Sequence, residues 1–285
     1  MILTIVYHLL NLGIDYKRIH QIAGVLGFAS IILLARRFRL PLWRMLLVTA
    51  LSVGAGMLLA RVVGLVDLLL YWRRIGREFD FLELAFWGRT VYYGALWGYY
   101  LTAALLLPRL IKKPRLAFDI LTASATLGHG VGRFACYLAR SFRKDGTWTW
   151  KPCCYGIKME GEFYARFWDH RFPVQFVEAG FELILFAALL WLLFKGGEKW
   201  RGKLPLVYLT AYPIFRYIIE FYRGDDIHGR VGPMSFAQLC CLLTLIGVWL
   251  LCTLRQKGRL KPYPPDREDA LSQPSVDSAL EEGAK

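Results

Sequence analysis

Apolar residues arrive in long runs rather than in alternation. Seven segments approach the ~20 mostly apolar residues that a helix needs to cross a bilayer core about 30 Å thick. They are about His20–Ala35, Met45–Tyr71, Val91–Leu107, Leu116–Leu138, Pro173–Phe194, Leu204–Phe221 and Met234–Leu254. The fourth is the weakest, because it carries Asp119, His129 and Arg133. Only helices and closed barrels satisfy their backbone hydrogen bonds in lipid, and these runs are too long and continuous for barrel strands. The predicted fold class is therefore all-α, a polytopic integral membrane bundle of about seven transmembrane helices. No repeat at solenoid periods is evident. Met1–Leu12 lacks a basic leading region and a small-residue cleavage site, so no cleavable signal peptide is expected.

Composition supports the membrane assignment. The 285 residues are 56% hydrophobic and 20% charged, with mean hydropathy +0.36. Ordinary soluble chains are roughly 45–50% apolar and about 25% charged. Disorder is excluded for all but a short tail, and six cysteines in this length do not make a disulfide scaffold. The net charge of +14 has two readings, a nucleic-acid footprint or positive cytoplasmic loops. Its distribution decides. Arg36, Arg37, Arg39 and Arg44 follow the first run, and Arg109, Lys112, Lys113 and Arg115 follow the third. Lys195, Lys199, Arg201 and Lys203 follow the fifth, against Glu198, and Arg255, Lys257, Arg259 and Lys261 follow the seventh. The intervening loops mix signs, as where Arg73, Arg74 and Arg77 precede Glu78, Asp80 and Glu83. The four basic regions are expected in the cytoplasm, with the N-terminus out and the C-terminus in. The charge is then topology, and no nucleic-acid partner is expected. Residues 1–261 form the membrane domain, with 140–172 as an extracytoplasmic loop insertion whose bases and tryptophans could rest on membrane lipid headgroups. Residues 262–285, with four prolines and six acids against two bases, read as a disordered cytoplasmic tail.

Ionisable groups at membrane depth are costly and face a bundle interior. His129 and Arg133 are four residues apart in the fourth run and share a helical face, with Cys136 three further on. Gly128, Gly130 and Gly132 around them allow close backbone approach. In the sixth run Tyr212, Arg216, Glu220 and Arg223 form one stripe, and Pro213 should kink it. Two arginines against one carboxylate leave about one positive charge, which favours an anionic ligand, and arginine suits phosphate. Gln175, Glu178 and Glu182 lie on one side of the fifth run, either orienting these arginines or pairing with Arg61 or Arg89. Tyr92, Tyr93, Gly94, Trp97 and Gly98 give the third run a glycine-lined aromatic face. Neither Cys153-Cys154 nor Cys240-Cys241 has metal spacing, so neither a metal nor a cofactor is expected. A disulfide among Cys136, Cys153 and Cys154 stays open. An anion-seeking charge inside lipid points to a phospholipid.

These residues fall in motifs that resemble a family. Gly132-Arg133-Phe134-Ala135-Cys136-Tyr137-Leu138-Ala139, followed by Cys153-Cys154-Tyr155-Gly156, resembles the signature of bacterial prolipoprotein diacylglyceryl transferases, in a branch that carries cysteines. Pro173-Val174-Gln175-Phe176-Val177-Glu178, the Tyr212–Arg223 stripe and Ser235-Phe236-Ala237-Gln238 are similar to three further segments of that family, in the same order. Thirteen residues, Arg140–Pro152, separate the two halves of the signature. The family's usual asparagine stands as Cys136, and its third-helix His-Gly-Gly appears as Tyr93-Gly94-Ala95. The family's proposed base is therefore missing there, and His129, one turn from Arg133, is an available substitute.

The resemblance implies transfer of diacylglyceryl from phosphatidylglycerol to the lipobox cysteine of a prolipoprotein, in a bacterial plasma membrane. It implies that Arg133, Arg216 and Glu220 act in catalysis, and with the family's base absent His129 or Tyr93 is expected to assist removal of the thiol proton. It implies that Arg223, Tyr212, Gln175, Glu178, Gly132, Gly156 and Arg61 bind substrate. A related transferase with another acceptor, a non-catalytic lipid-binding protein and an anion transporter are the competing readings. The last lacks the inverted repeat common in transporters.

Overall fold

The structure is a computed structural model that describes residues 15–78, 90–142, 148–225 and 228–267. Seven α-helices are present among them: α1 (Tyr16–Arg37), α2 (Leu42–Ile75), α3 (Tyr92–Leu110), α4 (Pro114–Tyr137), α5 (Val174–Lys195), α6 (Leu204–Ile219) and α7 (Phe236–Gln256). Each predicted apolar run falls on one helix.

The bundle is apolar outside and polar within. Leu33, Trp43, Met57, Leu58, Ile184, Trp191 and Trp249 are exposed, whereas Asp67, Asp119, Glu178, Glu182 and Arg216 are buried. A water-facing surface of this kind would drive aggregation, and a lipid-facing one is the stable arrangement. The molecule is an all-α polytopic membrane bundle. α1, α2, α5 and α7 are long and apolar enough to cross a membrane by themselves. α3, α4 and α6 are less so, because α3 is rich in tyrosine, α4 carries Asp119, His129 and Arg133, and α6 has only 16 residues. Those three helices carry most of the polar side chains discussed below.

α2 and α3 pack backbone against backbone. A Cβ on Gly94 would lie 2.4 Å from the Leu59 carbonyl oxygen, and one on Gly98 2.7 Å from that of Ala55. The Val91 amide donates to the Ala60 carbonyl at 3.0 Å, outside either helix's own ladder. Small residues allow this approach, and in lipid such packing replaces the hydrophobic drive between helices.

The basic turns gather at one end. Arg44 Nη1 donates to the Leu110 carbonyl at 2.9 Å, which joins the α1–α2 and α3–α4 turns. The Gly202 and Leu204 amides donate to Asp119 at 2.6 and 3.1 Å, which brings in the α5–α6 turn. The chain beyond α7 returns to this end. Tyr263 packs on Phe118 at 5.6 Å, and Asp266 is buried, accepting from the Arg115 amide at 3.0 Å with Arg201 3.7 Å away. The expected solvated tail therefore starts later than residue 262, because Asp266 accepts from the backbone of one basic turn and pairs with Arg201 of another. Residues 268–285, Met1–Leu12, Asp80, Glu83 and Arg89 lie outside the described residues.

The opposite end carries the Arg140–Phe172 loop, which includes a small hairpin, β1 (Arg140–Phe142) with β2 (Trp148–Trp150). Gly156 in this loop bridges to Arg223 at the end of α6. A second hairpin, β3 (Arg230–Val231) with β4 (Met234–Ser235), leads into α7. Ser235 and Gln238 close that helix start as a capping box.

Gly94→Ala should lower the thermal unfolding midpoint of the detergent-purified protein, at an overpacking cost of about 1–3 kcal/mol. Gly54→Ala, where a Cβ meets nothing within 4 Å, should leave the midpoint unchanged or raise it, because alanine favours the helix. Unfolding followed by tryptophan fluorescence measures both.

Candidate active site

Helical period sets the side chains that meet near the loop end. The last turns of α4 present His129 and Arg133, α5 presents Glu178 and Glu182, and α6 presents Tyr212 and Arg216, followed by Glu220. Glu178 is the common partner: Oε2 pairs with Arg133, and Oε1 lies 3.3 Å from Arg216 Nε. Arg216 Nη1 is 2.5 Å from Glu220 Oε2, which lies 3.6 Å from Arg223 Nε. Arg223 also pairs through two nitrogens with Asp225, with Nε to Oδ1 at 2.9 Å. Ser235 Oγ donates to Glu220 Oε1 at 2.8 Å, so the cap of α7 holds Glu220 in place.

The sequence arithmetic of one surplus positive charge is corrected here. Glu178 and Asp225 join Glu220, so three arginines meet three carboxylates. What produces a positive surface is their placement. Arg133, Arg216 and Arg223 line a cavity of about 160 Å³, together with His129 and His228, whereas Glu178, Glu220 and Asp225 do not. The cations face the cavity and the carboxylates stand behind them. Removing the desolvation cost of the arginines without covering their cavity faces yields fixed donors in a low-dielectric site. Arg133 Nε is buried and has no hydrogen-bond acceptor among the described residues.

The other sequence candidates divide. His129 lines the cavity, with Nδ1 2.7 Å from Glu182 Oε1 and its ring stacked on Tyr92 at 3.9 Å. Tyr208 also donates to Glu182, at 3.0 Å. Tyr212 lies on the wall, its ring parallel to that of Tyr208. Tyr93 is on the wall too, but its hydroxyl is 2.9 Å from Cys241 Sγ. Gln175 Nε2 donates to the Cys153 carbonyl at 2.8 Å and pins the loop, away from the wall. A Cβ on Gly156 would lie 2.3 Å from the Phe172 carbonyl oxygen, and its own carbonyl accepts from Arg171. Gly156 thus allows a close crossing with Phe172 of its own loop, and its backbone also bridges to Arg223. Gly132 has no such crowding; the nearest groups are Ala23 and His20 of α1 at 3.9–4.0 Å, on the side away from the cavity. Arg61 is half-buried on α2 and off the wall.

Cys136, Cys153 and Cys154 gather as free thiols where the loop meets α4. Cys153 Sγ is 3.4 Å from the Cys136 carbonyl, and Arg133 Nη1 is 3.8 Å from Cys136 Sγ. Cys154 lines the cavity with a left-handed backbone, φ +59°. Hydrogen bonding with the neighbouring Cys136 and Cys153 lowers its pKa well below the usual thiol range, helped by Arg223 and Arg133.

Sequence reasoning missed Asp67 and His228. Asp67 is fully buried on α2 and accepts from the Gly229 amide at 2.8 Å. Its Oδ2 lies 2.9 Å from His228 Nδ1. The available signal was a lone carboxylate inside a long apolar helix; His228 lies in a loop with no periodic signal.

A second, apolar cavity of about 220 Å³ adjoins the first, lined by Met57, Ala95, Leu96 and Tyr99. His129 and Tyr92 line both.

Glu178→Gln removes the shared partner of two buried arginines, and breaking such a pairing costs about 3–5 kcal/mol. The unfolding midpoint in detergent should fall clearly, and more than for Glu198→Gln, whose ion pair with Arg201 is exposed.

The family model for prolipoprotein diacylglyceryl transferase matches residues 18–253. A phosphatidylglycerol–prolipoprotein diacylglyceryl transferase 2 of Clostridium perfringens is 28% identical over 220 residues, covering 74% of this chain and 79% of that protein. A phosphatidylglycerol–prolipoprotein diacylglyceryl transferase of Campylobacter jejuni is 32% identical over 163 residues, 56% of this chain and 55% of the relative. One from Helicobacter pylori is 30% identical over 177 residues, 58% of each. The chain thus spans most of the first relative and under two thirds of the other two. No solved structure matches. With the family's segments in order and its arginines converging on one cavity, the chain belongs to the prolipoprotein diacylglyceryl transferase family.

Proposed function

We propose that this protein transfers the diacylglyceryl group of phosphatidylglycerol to the lipobox cysteine thiol of a prolipoprotein. The observation that carries the reading is the adjoining pair of cavities: one walled by Arg133, Arg216 and Arg223, the other apolar, with His129 and Tyr92 between them. A phospholipid has this same division. Its phosphodiester fits the arginine wall, and the first carbons of its acyl chains fit the apolar side. The relatives' names carry the same substrate pair.

The chemistry follows from the bonds that change. The thiol loses its proton, and the sulfur attacks the glyceryl carbon that bears the phosphate. An S–C bond forms and the C–O bond to phosphate breaks, so negative charge builds on the departing glycerol phosphate. Arg133 and Arg216 stabilise that charge at fixed positions. Glu178 and Glu220 hold the two guanidinium groups and need not move. Arg223, at the loop end, receives the released phosphate. Tyr212 and Tyr92 form the wall beside the glyceryl carbons. Of the two sequence candidates for the thiol proton, the Tyr93 hydroxyl is engaged with Cys241 and His129 Nδ1 with Glu182.

The four basic regions face the cytoplasm, by the positive-inside rule, and the loop end faces outward. The N-terminus is then outside and the C-terminus inside the plasma membrane. A cysteine placed at Lys257 in a cysteine-less variant should react with an impermeant maleimide only after the membrane is opened. Labelling in intact spheroplasts would contradict this orientation.

Purified protein, phosphatidylglycerol and a lipobox peptide should yield a diacylglyceryl mass addition on the peptide cysteine. Arg133→Ala and Arg216→Ala should each lower the rate by about 10²–10³-fold, as loss of a transition-state donor does. No addition by the unaltered protein, under conditions where a family relative works, would refute the reading.

A further inference from the structure

Thiol attack needs a proton acceptor, and the cavity wall holds two carboxylate-bound imidazoles, His129 and His228. Their surroundings differ in one respect that matters. His129 lies between the arginine-walled cavity and the apolar one. Its ring is flat against Tyr92 at 3.9 Å, and only 15% of its side chain is exposed. A proton received there has an apolar region on its far side. His228 lies between the arginine-walled cavity and a polar cavity of about 280 Å³ at the loop end, lined by Glu220, Arg223, Asp225, Ser235 and Gln238. Its side chain is 28% exposed. A proton received there can move on to the departing phosphate or to water.

The ring of His228 is also set for acceptance. Asp67 is fully buried in α2, and the Gly229 amide holds its Oδ1 at 2.8 Å. The other oxygen, Oδ2, lies 2.9 Å from His228 Nδ1. A carboxylate there places the proton on Nδ1 and leaves the lone pair on Nε2, and it stabilises the imidazolium once formed. Nε2 lies 3.5 Å from Arg223 Nη2 and 3.8 Å from Asp225 Oδ2. The charged and titratable groups around it are Asp67 of α2, Arg223 and Asp225 of its own loop, and Glu220 behind Arg223. Across the cavity stand Arg133 of α4, Arg216 of α6 and Cys154 of the long loop.

We propose that His228, oriented by Asp67, is the catalytic base that takes the proton from the acceptor thiol, with Asp67 as its positioning residue. The inference rests on the transferase reading above. In the step, Nε2 takes the proton as the S–H bond breaks and the S–C bond forms. The C–O bond breaks with its electron pair going to the phosphate oxygen. His228 then passes its proton to the departing glycerol phosphate, which leaves through the polar cavity as a monoanion. One thiol and one phosphatidylglycerol monoanion thus become one thioether and one glycerol phosphate monoanion. His129, tied to Glu182 and Tyr92, keeps the wall between the two cavities.

The test compares two lipobox peptides, one with cysteine and one with selenocysteine, whose selenol is already ionised at neutral pH. With the unaltered protein both are modified. His228→Gln should slow the cysteine peptide by about 10²–10⁴-fold and the selenocysteine peptide by less than about tenfold, since only the former needs a base. A variant that had merely misfolded would lose both. His129→Gln should leave the ratio of the two rates unchanged. Asp67→Asn should lower kcat for the cysteine peptide, leave KM for phosphatidylglycerol unchanged, and move the rising limb of the pH–rate profile toward the thiol's own ionisation. Equal losses on both peptides in His228→Gln, no loss on either, or a ratio that moves with His129→Gln instead would overturn the assignment. An unaltered protein that modifies neither peptide would overturn the transferase reading and this inference with it.

Discussion

Glu178 is the contact on which the interior depends. It lies on α5 and pairs with Arg133 of α4 and Arg216 of α6, so one carboxylate ties three helices. Each of these charges alone would be prohibitively costly among apolar helices. Together they form a chain that runs through Glu220 to Arg223 and ends at Asp225 and the cap of α7. The cost of burial is offset pairwise, and the geometry leaves the positive ends toward the cavity. A neutral network thereby presents a cationic surface, which is the condition for holding a phosphodiester without a large buried net charge.

The surrounding bundle follows from that requirement. α3, α4 and α6 give up apolar length to carry tyrosines, histidine and arginines. They can do so because α1, α2, α5 and α7 are apolar enough to span the membrane by themselves. The close backbone crossing of α2 and α3 brings Tyr92 and Tyr93 against α4 and α6, where Tyr92 stacks on His129. The long loop returns over the same end, where Gly156 passes close to Phe172 and bridges to Arg223.

Local periodicity explains what the sequence made legible. The seven runs, the His129–Arg133 face and the Tyr212–Arg216–Glu220 stripe depend on spacings of three, four or about twenty residues, and all are visible in a single chain. Pairings across the bundle are not. The sequence offered two sets of partners for the acids of α5, the arginines of the fourth and sixth runs or Arg61 and Arg89, and nothing local chose between them. Asp67 and His228 are 161 residues apart, and only the fold joins them. Gly132 resembled a glycine of close approach, yet the crowded positions beside it are Gly130, where a Cβ would lie 3.0 Å from Glu182 Cβ, and Gly128, where it would lie 3.3 Å from the Ala23 carbonyl oxygen. Proline and acid content suggested that everything after residue 262 is solvated, but Asp266 is buried against the Arg115 amide and Arg201, a contact that composition does not reveal.

The central claim is that the arginine wall recognises phosphate within a lipid. Native mass spectrometry of the purified protein, exposed to equal amounts of phosphatidylglycerol and of diacylglycerol with the same acyl chains, tests it most directly. The account predicts that phosphatidylglycerol stays bound, that diacylglycerol does not, and that the difference disappears when Arg133 and Arg216 are both replaced by glutamine. Equal retention of the two lipids by the unaltered protein would contradict it.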